Sequence, residues 1–109
     1  MNTQRAEALV ESFGKTIGMY GEVYAAIFGD YRTRLANKEA LLKTIDRLQE
    51  AEEQFGSQRY ESFRERIESM IQKADVHIQE DLEGLEMISK KIEKAEVQIQ
   101  IVKSGWEVK

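Results

Sequence analysis

His77 is the only histidine in the chain, and Glu80 and Asp81 follow it at three and four residues. On a helix that spacing sets an imidazole and two carboxylates on one face, a donor set that a divalent metal can use. Diiron helical bundles place the carboxylate three residues before the histidine and need the motif twice. Here the order is reversed and the motif is single, so the trio reads as a solvated surface and no metal is expected. Cysteine is absent, which removes thiol chemistry, zinc–cysteine sites and disulfides. No glycine-rich loop precedes a helix, and His77 has no nucleophile placed to form a hydrolytic triad with it. The acids Glu80, Asp81, Glu83 and Glu86 run into the bases Lys90, Lys91 and Lys94, and Glu86 to Lys90 is an i, i+4 pair of the kind found on exposed helix. The sequence therefore predicts a non-catalytic protein with no cofactor.

Without chemistry to organise it, the chain has to be read through its helices. It has 109 residues, no proline, 41% hydrophobic and 33% charged residues, and a net charge of -4. That composition fits one folded, well-solvated all-α domain spanning 1–109. The stretch from Gln58 to Trp106 dominates. Its apolar residues fall in two heptad registers, Tyr60, Phe63, Ile67, Met70 and Ala74, then Leu85, Ile88, Ile92, Ala95, Ile99, Val102 and Trp106. Ile78 and Leu82 bridge the two, which reads as a stutter in the heptad count. Such a helix would be roughly 70 Å long and must lie against something of similar length.

Two aromatic–glycine–capper sequences punctuate the chain, Phe28-Gly29-Asp30, which reads as a break or kink, and Phe55-Gly56-Ser57, which reads as a turn, giving helices at about 3–28, 31–55 and 58–103. The second helix shows Leu35, Leu42 and the row Leu41, Ile45, Leu48 and Phe55 as its apolar edge. Two architectures follow: a long antiparallel helical hairpin, or a three-helix bundle with coiled-coil-like packing. A hairpin leaves apolar surface uncovered, so a homodimer is the expected state. No run of about 18 apolar residues is present, so neither a membrane-spanning segment nor a signal peptide is expected. Charge is spread too evenly to expect a nucleic-acid partner.

The first helix carries two stripes. Val10, Phe13, Ile17, Tyr20, Tyr24, Ile27 and Tyr31 alternate by three and four, and beside them run Gly14, Gly18, Gly21 and Ala25. Each mid-helix glycine costs about 1 kcal/mol relative to alanine, so this small-residue face needs a reason. It is either a groove where another helix of the same chain packs, or one that a partner's helix engages. The candidate partner-binding residues are accordingly Gly14, Gly18, Gly21, Tyr20, Tyr24 and Ile27. Trp106 joins them, because Gly105 should end the last helix and let the indole fold back onto the bundle.

Gly29-Asp30, Leu35, the run Lys38-Glu39-Ala40-Leu41-Leu42, Ile45 and the ending Ile92, Lys94, Ile99, Lys103, Gly105, Trp106 resemble the small flagellar export chaperones of the FliT and FlgN type. The resemblance covers about Tyr20 to Trp106. It implies a cytoplasmic binding protein of the flagellum export system, which shields a secreted subunit by holding its amphipathic helix, with the last helix covering the binding surface in the free state. The residues themselves leave a second class open, a structural coiled-coil component, BAR-like or from a phage assembly, that acts by dimerising.

Overall fold

The absence of proline leaves helix propagation unopposed over long stretches, and the chain uses this fully. A computed structural model describes the backbone of residues 3–107 and the side chains of residues 3–105, so the expected fold-back of the Trp106 indole lies outside the described side chains. Two helices account for nearly all of it, α1 (Thr3–Phe55, 53 residues) and α2 (Glu61–Glu107, 47 residues), packed against each other. No strand occurs among the described residues. The fold is all-α, and the three-helix alternative gives way to two helices.

The expected break at Phe28-Gly29-Asp30 does not occur. Gly29 stays helical, Gly56 is the one described glycine with positive φ (91°), and the Thr33 hydroxyl donates to the Gly29 carbonyl at 3.1 Å. A glycine inside an established helix costs about 1 kcal/mol, whereas ending the helix there would orphan several backbone groups at once. With no proline beyond it and the apolar stripe in phase on both sides, continuation wins. Gly56 is different. Its N–H donates to the Glu52 carbonyl at 2.8 Å while its left-handed φ turns the chain out of α1, as an αL helix end requires. The Ser57 carbonyl then accepts the Tyr60 N–H, and the Tyr60 carbonyl accepts the Arg64 N–H. At the far end, Gly105 does not stop α2, which runs on to Glu107.

The stutter in α2 also dissolves. Its seam positions, led by Tyr60 just before the helix, are Arg64, Ile67, Ile71, Ala74, Ile78, Asp81, Leu85, Ile88, Ile92, Ala95, Ile99 and Val102, all buried or half-buried, an unbroken alternation of four and three. Two of these seam positions hold charges, so a search for apolar residues alone slips onto neighbours. Phe63, Met70 and Leu82, read as seam members, are 48%, 49% and 41% exposed. In α1 the seam runs from Ala6 through Tyr20, Tyr24 and Ile27 to Leu48 and Glu52 with the same spacing. Leu42 and Phe55, expected on its apolar edge, are 45% and 61% exposed.

The chain forms two compact units, one from residues up to Phe28 with those from Glu83 on, the other Gly29–Leu82. In the second unit the helices are antiparallel about the Gly56 turn, with Leu48 and Ile67 buried. Charged seam residues find partners across it. Arg64 grips Glu52 with two hydrogen bonds of 2.8 and 2.6 Å, Arg34 donates to Asp81 at 2.6 Å, and Lys38 pairs with Asp75. In the first unit the helices are again antiparallel, since Tyr20 meets Lys91 and Ile27 meets Gly84. Ala6, Leu85, Ala95 and Val102 are its buried apolar residues.

Candidate partner-binding face

The candidate residues separate into two sets, because the helix turns them in different directions. Tyr20, Tyr24 and Ile27 occupy seam positions and are half-buried. Lys91 Nζ sits 5.7 Å from the centre of the Tyr20 ring, a cation–π distance. Tyr24 stacks on Phe28 with ring centres 6.4 Å apart and planes 10° from parallel. Ile27 fills the space in front of Gly84, where a Cβ would stand 3.5 Å from its Cδ1. Tyr20 and Ile27 thus meet α2, while Tyr24 packs on Phe28 of its own helix.

Gly14, Gly18 and Gly21 point elsewhere. All three are exposed, and a Cβ built on any of them would meet no atom within 4 Å. The reading in which another helix of the chain packs on this stripe is therefore overturned. The glycine at which α1 and α2 approach is Gly84, which apolar spacing did not single out and which the phase of the α2 seam would have found. Along the edge of the glycine stripe, Gly21 and Tyr24 form one wall of a shallow groove whose other wall is Ser89, Ile92, Glu93 and Glu96 of α2. On α2 the surface continues past Glu93 and Glu96 to Val97 and Ile101, which are 55% and 59% exposed. An apolar floor with an acidic rim suits a helix with apolar anchors and basic flanks. Compared with protein-family models, curated proteins and solved structures, the chain matches none.

The metal-type trio is not assembled. His77 Nδ1 lies 3.6 Å from Glu80 in an exposed pair, whereas Asp81 turns into the seam toward Arg34. Among the described residues no three histidine, aspartate or glutamate side chains converge as a metal site would require. Among the described residues Asp81 is the buried polar residue of the core, 9% exposed, and its Oδ2 has no hydrogen-bond partner among them. The Arg64 hydrogen bonds hold the Glu52 carboxyl below its ordinary range, and the same contact raises Arg64. Both charges thus stay ionised where they cross the seam. No described helix is long and apolar enough to span a membrane.

Proposed function

We propose that this chain is a non-catalytic helical binding protein that takes an amphipathic helix of a protein partner onto the outer face of α1. The observation that carries this reading is the open glycine stripe. Gly14, Gly18 and Gly21 weaken α1 by about 1 kcal/mol each relative to alanine, yet among the described residues no contact uses the space they leave. A helix laid there from outside gives that space an occupant. A cytoplasmic export chaperone or adaptor of the flagellar kind fits this behaviour, holding a client helix by anchors at i, i+3, i+4 and i+7.

A fluorescein-labelled leucine–lysine amphipathic peptide tests the reading, because its lysines complement Glu93 and Glu96. It should bind the native chain, and Gly18→Leu should abolish binding without lowering thermal stability. Binding that ignores Gly18→Leu would sink the proposal. The second reading, a structural component that acts by pairing its own helices, is favoured by exposed apolar residues outside the seam, Phe28 at 41% and Leu42 at 45%.

A further inference from the structure

Within the unit formed by residues up to Phe28 and those from Glu83 on, the seam has two flanks of opposite character. One flank holds the groove between Gly21 and Tyr24 of α1 and Ser89, Ile92, Glu93 and Glu96 of α2. The other is marked by Lys91 over the Tyr20 ring and by Ile27 in front of Gly84. Steps of three and four along each helix extend both. Gly18 and Gly14 continue the first flank from Gly21, whereas Val23 and Met19 continue the second from Ile27, and Met87 and Lys94 stand on either side of Lys91. The first flank is therefore small and acidic. The second is bulky and basic, with Met19 67% and Met87 55% exposed. Among the described residues Glu93, Glu96 and Lys94 have no ion-pair partner, so the fold of one chain leaves these charges over.

We propose that copies of this chain stack through this unit, the bulky basic flank of one on the small acidic flank of the next, with like helix over like helix in the same direction. This rests on the reading of the α1 outer face as a helix-binding surface and names its occupant, a second copy. Neither flank suits a two-fold contact with itself, which would set acids on acids or lysines on lysines. Each suits the other. Lys91 and Lys94 are three residues apart, as are Glu93 and Glu96, so sliding the upper copy by about 3 Å, two residues of helix rise, brings the lysines level with the glutamates below. Because the helices are antiparallel, the same slide runs the opposite way in α1 numbering. It sets Val23 over Gly21 and Thr16 over Gly14, with Met19 beside Gly18, bulky against small. Turning the upper copy so that α1 lies over α2 would instead put Glu93 and Glu96 under Met19 and Val23. A contact between two unlike flanks leaves one of each kind free at the ends, so it does not close and copies add one after another.

Sedimentation velocity should show mass rising past a dimer with concentration, and the leucine–lysine peptide, which takes the acidic flank, should reverse the rise. Glu93→Lys with Glu96→Lys, and separately Lys91→Glu with Lys94→Glu, should each weaken assembly on the order of tenfold or more. Mixing the two variants should restore it, since each supplies the charge that the other lacks. Far-UV circular dichroism should show full helicity in every variant compared. The chain has no cysteine, so single cysteines report the geometry. Gly21→Cys and Val23→Cys should not cross-link alone under mild oxidation but should link when mixed, and a chain carrying both should give a ladder of oligomers. Self-linking of either single cysteine, a dimer that does not grow, or no gain on mixing the charge variants overturns the proposal. If the chain is monomeric but still binds the leucine–lysine peptide, only this inference falls. If peptide binding is lost as well, the functional reading falls with it.

Discussion

At the scale of single residues, two mid-helix glycines have opposite surroundings. A Cβ on Gly84 would stand 3.5 Å from Ile27 Cδ1, whereas one on Gly18 would meet no described side chain or neighbouring helix within 4 Å. Gly84→Leu should force its extra methylenes into the interhelical space and cost about 1 to 3 kcal/mol. Gly18→Leu, measured on dilute protein, should raise stability by about 0.5 to 1 kcal/mol, since only helix propensity changes. Urea titrations of the two variants check this, and a destabilised Gly18→Leu would mean that its face is already covered in the isolated chain.

At the scale of elements, the helices and the turn at Gly56 are legible in the sequence, and the continuation of α1 through Gly29 is not. The α1 stripe from Val10 to Tyr31 lies in the seam as its spacing predicts, because a period of three and four survives any detail of packing. Gly29 was misread because a glycine followed by an aspartate is a sufficient signal for a helix end only when something pulls the chain away, and nothing there does. The apparent stutter near Leu82 arose because Arg64 and Asp81 occupy core positions, and their partners Glu52 and Arg34 lie far off in sequence. The candidate site was half legible. The small stripe is visible in the sequence, whereas its second wall of Ser89, Glu93 and Glu96 emerges only when α2 is in phase. Charges in a coiled-coil seam fix register at some expense in stability. Asp81→Ala should therefore cost about 1 to 3 kcal/mol by taking away the charged acceptor of Arg34 and leaving it only the long 3.4 Å hydrogen bond to the His77 carbonyl. Replacing both with leucine should recover that loss or exceed it. A double-mutant cycle by chemical denaturation checks the pair, and additive losses in all three variants would show that they do not couple.

At the scale of the whole molecule, the two units are held by different forces. The interhelical ion pairs Arg34–Asp81, Lys38–Asp75 and Glu52–Arg64 all lie within Gly29–Leu82. The contacts of the other unit include Ile27 on Gly84, Lys91 on Tyr20, and its buried Ala6, Leu85, Ala95 and Val102. Acid should separate them. Glu52 titrates below its ordinary value of 4.5 in the folded chain, chiefly because Arg64 hydrogen-bonds its carboxylate. A carboxyl depressed in this way contributes stability that is fully present above its unfolded pKa and is lost as pH falls through the folded one. Arg64, raised by the same contact, stays charged throughout and adds no pH dependence of its own in this range. Below pH 4.5 the turn end of the Gly29–Leu82 unit should therefore loosen first. Amide protection factors at Leu48 and Ile67 should fall on acidification before those at Ala95 and Val102, and Glu52→Gln should lower neutral-pH protection at Leu48 and Ile67 while flattening its acid dependence. Protection that declines in step in both units, unchanged by Glu52→Gln, would show that the Glu52–Arg64 pair does not hold that end of the chain.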